Sequence, residues 1–151
     1  MKTILLAGGM GAIGVNLAIF FKKKNFKVFA IGNCSDFEKF KNENRFYDGL
    51  LNESVTYKSL SQFNQKFDFI INCTGSGTVG FSNQNPIISF KKSTESTNSI
   101  LEFTRVFQKD AVNIFLSSGA VYGNSESTIE DKKYNIKPIS TYGMHKLINE
   151  N

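Results

Sequence analysis

Tryptophan is absent from this 151-residue chain, histidine occurs once, proline and cysteine occur twice each, and arginine occurs twice against 16 lysines. The scarcity of cysteine and of arginine each argues against a class of protein. Cys34 and Cys73 are far apart, with no second Cys or His nearby, which leaves no disulfide framework and no metal or redox pair and predicts two reduced, structural thiols. A nucleic-acid surface more often clusters arginine among aromatics. Here the charge of +5 is carried by dispersed lysines and reads as a solvated surface, with Lys22, Lys23 and Lys24 suiting the negative end of a helix dipole. No apolar run approaches the roughly 20 residues needed to cross a bilayer. The apolar start of the chain is cut at once by Gly8, Gly9 and Gly11, unlike an export signal, so a cytoplasmic protein with neither membrane nor nucleic-acid partner is expected. There is no internal repeat and no low-complexity linker.

What is present is an ordinary globular balance, 40% hydrophobic and 21% charged, at the length of about one domain. Residues 2–7 form a short apolar run ending in glycines. Residues 13–24 follow with helical periodicity, Ile13, Leu17, Phe20 and Phe21 falling on one side. Residues 26–31 read as a second strand, 36–44 as a short helix, about 45–48 as a third strand, and 57–65 as a helix. Residues 67–73 read as a strand, 87–108 as one long helix, 112–117 as a fifth strand, and 142–151 as a terminal helix. Short all-apolar strands alternating with helices predict an α/β fold, a Rossmann-like doubly wound parallel sheet over residues 1–151. Residues 123–140, with Pro138, make a long irregular stretch expected to border a ligand site.

Two constellations carry chemistry. Between the first strand and first helix, Gly8, Gly11 and Gly14 repeat at three-residue spacing, with Ala12 and Ile13 opening the helix. Glycine permits the tight turn and lets a pyrophosphate approach the backbone, while the helix N-terminus aims free N–H groups at the phosphate. In dinucleotide sites an acid near the end of the second strand binds the ribose 2′-hydroxyl. That place falls here at Gly32, followed by Asn33, Ser35 and Lys39, which could contact a 2′-phosphate. This tilts the cofactor towards NADP(H) over NAD(H), although Asp36 could reach back to a ribose. The second constellation is Tyr142 and Lys146, four apart on one helical face. An ammonium beside a phenol favours loss of the phenolic proton, which makes the pair a usable general base for an alcohol or acid for a ketone.

Four motifs occur in a telling order: Ala-Gly-Gly-Met-Gly-Ala-Ile-Gly at 7–14, Asp-Phe-Ile-Ile-Asn-Cys-Thr-Gly at 68–75, Ser-Ser-Gly-Ala-Val-Tyr-Gly at 117–123, and Tyr-Gly-Met-His-Lys at 142–146 with Glu150 following. In these the chain resembles the extended short-chain dehydrogenases/reductases, the NAD-dependent epimerase/dehydratase family acting on nucleotide sugars. The resemblance implies Tyr142 as general acid/base, Lys146 as the residue that activates it and holds the nicotinamide ribose, and Ser118 as the hydrogen-bond partner of the reacting sugar oxygen. It further implies Cys73 and Thr74 along the cofactor, Gly119 and the Tyr122 region at the sugar, and a homodimer formed through the long helices. The family's acidic pair after the Ser/Thr, required for dehydration, is replaced by Gly119 and Ala120, which disfavours a dehydratase. Ser93 takes the place of the family's Asn in the fourth helix, and the place of its adenine-contacting Asp after the third strand falls at Leu50. His145, in place of a common Ser, neighbours the catalytic face without lying on it.

The resulting expectation is an NAD(P)-dependent enzyme working at C4 of a nucleotide sugar, a 4-ketoreductase or 4-epimerase. A chain that stops short of the family's substrate-binding C-terminal region is also expected. The alternatives are a non-catalytic NAD(P)-binding sensor and an inactive fragment of the enzyme.

Overall fold

The computed structural model describes residues 1–124 and 136–151. It divides into two compact units, one formed by residues 1–74 and 98–116 and the other by residues 75–97 and 117–151. The first contains a five-stranded sheet of β1 (Thr3–Ala7), β2 (Lys27–Gly32), β3 (Gly49–Asn52), β4 (Phe69–Asn72) and β5 (Val112–Phe115). The strands lie in the order β3-β2-β1-β4-β5, with every pair parallel. The expected doubly wound Rossmann-like arrangement is therefore present.

Side chains alternate along β1 and feed two cores. Leu5 and Ala7 join Ile31, Ile70, Leu60 and Phe67 on one face, covered by Ile100 and Phe103 of α6 (Ser96–Phe107). Ile4 and Leu6 join Val28, Ala30 and Ile71 on the other, covered by Leu17, Ala18 and Phe21 of α1 (Ala12–Lys23). Each such fully buried Leu, Ile or Phe contributes about 1.5–3 kcal/mol. The predicted apolar face of α1 needs correcting, because Ile13 and Phe20 are 57% and 53% exposed. The buried stripe is shifted to Gly14 and Ala18.

The third strand begins later than expected, at Gly49 instead of within 45–48. Asp48 is occupied otherwise: its N–H bonds to the Val28 carbonyl at 2.7 Å, and its carboxylate accepts from Val28 N–H at 2.7 Å and Lys22 Nζ at 2.8 Å. Pairing then starts at Gly49, where a Cβ would come within 2.6 Å of the Phe29 ring. Leu50 consequently lies inside β3 opposite Ala30 and packs in the core, so it is not the residue following the strand. Burial raises the affinity of the Asp48 carboxyl for its proton, but the bonds from Lys22 and Val28 N–H and the charges of Lys22 and Lys27 outweigh this and hold its pKa below the ordinary value. A depressed carboxylate contributes stability that is present above its unfolded pKa and lost as pH falls through the folded one. Asp48→Asn is expected to lower stability at neutral pH by about 0.5–1 kcal/mol and to flatten its decline below about pH 4. Urea denaturation at several pH values measures both.

α2 (Phe37–Glu43) is capped by the Asp36 side chain, which accepts from Lys39 N–H. α3 is confined to Tyr57–Leu60, shorter than the predicted 57–65, because the Ser61, Gln62 and Phe63 N–H groups close turns onto the preceding carbonyls. The expected long helix over 87–108 is present as one continuous run from Pro86 to Phe107, in which a π turn at Lys91–Glu95 joins α5 (Pro86–Phe90) to α6, and α4 (Val79–Gln84) precedes it. The Ser96 N–H reaches the Lys91 carbonyl five residues back, and the Ser96 hydroxyl accompanies it at 3.1 Å.

The second unit holds α4, α5, the π turn, a 3-10 turn at Gly119–Val121 and α7 (Thr141–Glu150). Gly143 sets the packing of α7, since a Cβ there would lie 2.4 Å from the Ala120 carbonyl oxygen and 3.1 Å from the Pro138 side chain. Lys137 N–H bonds to the Val121 carbonyl at 3.1 Å. Most of the predicted irregular stretch, residues 125–135, lies outside the described residues. Among the described residues, no helix is long and apolar enough to cross a membrane.

Candidate active site

In the first unit, β1 ends in a tight backbone turn. Gly8 has φ +76°, and a Cβ on it would stand 3.0 Å from the Cys73 carbonyl group and the Thr74 nitrogen. Its N–H donates to Ile31 at 2.7 Å, and Gly11 N–H donates back to the Gly8 carbonyl at 3.1 Å. Gly14 allows helix and turn to touch, with only 2.4 Å between its hypothetical Cβ and Gly9 Cα. α1 then starts behind Gly11 with no side-chain cap and no acid in its first turn, while Gly11, Ala12 and Ile13 are exposed. An uncapped, exposed helix start beside a glycine cradle is receptive to an anion such as a pyrophosphate. The residues present therefore fit a dinucleotide cofactor.

The turn has a support that no sequence pattern signals. Tyr47, half-buried just before β3, donates its hydroxyl to the Gly9 carbonyl at 2.6 Å, and its ring makes tilted contacts with those of Phe46 and Phe40. Burial, and secondarily the neighbouring Cys73, push its pKa above the ordinary value, so the phenol remains a donor. Tyr47→Phe keeps the ring and removes the bond. It is expected to weaken NADH binding about three- to tenfold, measured by NADH fluorescence titration; unchanged affinity would mean that the turn keeps its shape without the phenol.

Gly32 ends β2 close to this turn, 3.5 Å from Gly8 Cα to a hypothetical Cβ. Asn33 donates its amide to the Ser54 hydroxyl at 3.0 Å, and the Cys34 backbone is held by Asn52 through two bonds. The Asp36 carboxylate is used as the α2 cap. At the end of β4, Cys73 is half-buried against the core, and its N–H bonds to the Ala7 carbonyl at 2.8 Å. Thr74 turns its hydroxyl to Asn72 Oδ1 at 2.6 Å. Gly8 and Cys73 are thus brought together, whereas the Asn33, Asp36 and Thr74 side chains have local partners.

In the second unit, the Ser140 side chain caps α7 by accepting from Gly143 N–H, which places Tyr142 in the first turn and Lys146 one turn on. Lys146 is 4% exposed, and its Nζ stands 5.9 Å from the Tyr142 ring centroid, within the range of cation–π attraction. Ser118 caps the 3-10 turn, its oxygen accepting from Ala120 N–H at 3.2 Å, so its O–H remains available as a donor. The close approach of Gly143 to Ala120 joins the turn carrying Ser118 to the start of the helix carrying Tyr142. Gly119 is exposed. The neighbouring Ser117 donates to the Glu150 carboxylate. Ser93, in the π turn, receives the Asn149 amide of α7 on its hydroxyl at 3.1 Å.

A family model described as the NAD dependent epimerase/dehydratase family matches residues 4–151. The chain belongs to that family. It is 27% identical over 155 residues to the putative UDP-glucose 4-epimerase of Methanocaldococcus jannaschii, an alignment covering 97% of this chain and 48% of that protein. The UDP-Glc/GlcNAc 4-epimerase structure from Campylobacter jejuni is similar with a TM-score of 0.83 at 26% identity, over 99% of this chain and 47% of that one. A UDP-glucose 4-epimerase from Brucella ovis, solved in complex with NAD, shares the fold with a TM-score of 0.81 at 23% identity, over 99% of this chain and 46% of that one. The chain spans about half the length of the relatives it matches. Within this epimerase/dehydratase member, motif spacing locates the glycine turn and the Tyr142 helix. It misses Tyr47, whose partner is 38 residues away, and for such a contact the sequence carries no local signal.

Proposed function

We propose that residues 1–151 act as one NAD(P)-binding domain supplying the cofactor site and the acid/base group of an enzyme that works at C4 of a nucleotide sugar, as a 4-epimerase or 4-ketoreductase. The observation that carries this reading is the buried Lys146 ammonium beside the Tyr142 ring on α7, with the start of that helix packed on the turn that carries Ser118. Gly8, Gly11, Ala12, Ile13 and Gly14 would hold the pyrophosphate through backbone N–H groups, and Cys73 would edge the cofactor beyond Gly8. When bound, the cofactor supplies hydride exchange. Tyr142 takes the proton of the C4 hydroxyl in the oxidative direction and returns it in the reductive one. Lys146 sets its ammonium beside the Tyr142 ring and holds the nicotinamide ribose. Ser118 donates its free O–H to the sugar oxygen, and Gly119 leaves space beside it.

Gly119 and Ala120 offer no proton-transfer group, which supports a reaction without water loss. For the cofactor, the family description and the Brucella complex both specify NAD. The tilt towards NADP(H) rests only on the missing carboxylate at Gly32, and the relatives do not support it. The reading also takes the protein as cytoplasmic and as a homodimer, for which Leu101 on α6 and Ile148 on α7, 52% and 48% exposed, offer apolar contact surface. The test supplies the protein with UDP-glucose or UDP-galactose in one arm, and with NADH or NADPH plus a nucleotide 4-keto sugar in the other. Interconversion by proton NMR marks an epimerase, loss of reduced-nicotinamide absorbance marks a ketoreductase, and tight cofactor binding without turnover in either arm would refute both.

A further inference from the structure

Beside the face of α7 that carries Tyr142 and Lys146, the second unit contains a largely buried chain of hydroxyls ending in an imidazole. His145, 8% exposed, places Nδ1 2.9 Å from Ser89 Oγ, and the Phe90 ring meets it edge-on at 5.5 Å. Ser89 Oγ lies 3.0 Å from Ser82 Oγ and 3.2 Å from Ser76 Oγ, and these last two are 2.5 Å apart. Ser82 Oγ also reaches the Thr78 carbonyl at 3.0 Å. Ser82 and Ser89 are fully buried, and Ser76 is half-buried.

Each hydroxyl has one proton, and this sets the direction of the chain. A carbonyl only accepts, so the Ser82 proton goes to Thr78. Ser76 and Ser89 then donate to the Ser82 oxygen. With its proton spent, Ser89 accepts from His145, whose Nδ1 must carry hydrogen. Burial lowers the His145 pKa, in keeping with a neutral ring bare at Nε2.

Both ends of this chain adjoin the same lysine. His145 immediately precedes Lys146, and Ser76 immediately follows Gly75, whose backbone lies against the lysine side chain: a Cβ on Gly75 would stand 3.7 Å from Lys146 Nζ and 3.9 Å from its Cε. We propose that His145, through Ser89, Ser82 and Ser76, is a positioning residue that ties α7 to the turn at residues 75–77 and thereby fixes the Lys146 ammonium beside Tyr142. The proposal rests on the reading of Tyr142 and Lys146 as the acid/base pair. His145 itself touches no reacting atom.

The test compares His145→Leu, which removes the donor, with His145→Asn, whose amide N–H can replace Nδ1–H. In the full-length protein, the leucine variant is expected to slow hydride transfer with the bound cofactor about tenfold and to weaken NADH binding by a smaller factor, since Lys146 also holds the ribose, and the asparagine variant to recover both to within about threefold of the parent. Ser76→Ala, at the half-buried end, breaks the last link without opening the core. It should slow the same step about threefold, and it serves where His145→Leu does not fold. Nitrogen-15 NMR of the imidazole, which needs no turnover, should find Nδ1 protonated and Nε2 bare. An Nε2–H ring, leucine and asparagine variants that slow the reaction alike, or a Ser76→Ala variant at full rate would overturn the proposal. If the parent protein transfers no hydride at all, the acid/base reading fails, and the ring tautomer still decides whether the clasp exists.

Discussion

Tyr142→Phe is expected to lower kcat by about 10³-fold, within the usual range for loss of a positioned general acid/base, with NADH affinity within about threefold of the parent. The phenylalanine ring keeps the 5.9 Å contact with the Lys146 ammonium and the same position behind the Ser140 cap, so α7 stays in place and only the transferable proton is lost. The pyrophosphate contacts are assigned to the glycine turn, which belongs to the first unit, and the ribose contact to Lys146, which the substitution leaves unchanged. Steady-state kinetics with parallel NADH titration separates the two effects. A loss of tenfold or less would place the proton transfer on another group.

The second large effect is on folding. Gly14→Ala inserts a Cβ 2.4 Å from Gly9 Cα and 2.6 Å from both its carbonyl carbon and oxygen. All three are backbone atoms, so no rotamer change relieves the clash. Either the start of α1 moves away from the turn or the turn itself opens. A cost of about 1–3 kcal/mol follows for such overpacking, corresponding to a drop in Tm of roughly 2–12 °C. Because the displaced helix end is the proposed phosphate site, NADH affinity should fall about tenfold or more. Gly80→Ala is the matched control: it lies in α4 with nothing within 4 Å of the added carbon and is expected to be neutral or stabilising by up to about 1 kcal/mol. Calorimetry on the two variants that showed equal Tm values would contradict the close contact at Gly14.

Legibility in the sequence followed the range of the forces involved. β1, β2, β4 and β5 were readable because they are short runs of Ile, Leu, Val and Phe with turn residues at their ends, and α7 was readable because Tyr142 and Lys146 sit one helical turn apart. The start of β3 was not, since it depends on Asp48 bonding to Val28, twenty residues away. The predicted helix over 87–108 missed the π turn, where an apolar and polar pattern at helical spacing cannot show that Ser96 bonds five residues back. The same limit applies to function. Spacing shows which side chains share a face, as with Tyr142 and Lys146, but Tyr47 on Gly9 and Ser89 on His145 are contacts across 38 and 56 residues that only the fold creates.

The most direct measurement follows deuterium placed at C4 of a UDP-hexose, with the protein and its bound oxidised cofactor. Transfer of deuterium to the nicotinamide, abolished by Tyr142→Phe while the cofactor stays bound, is the result this account predicts. A C4 that keeps both its deuterium and its configuration, with no reduced cofactor formed and with cofactor and sugar both bound, would contradict it.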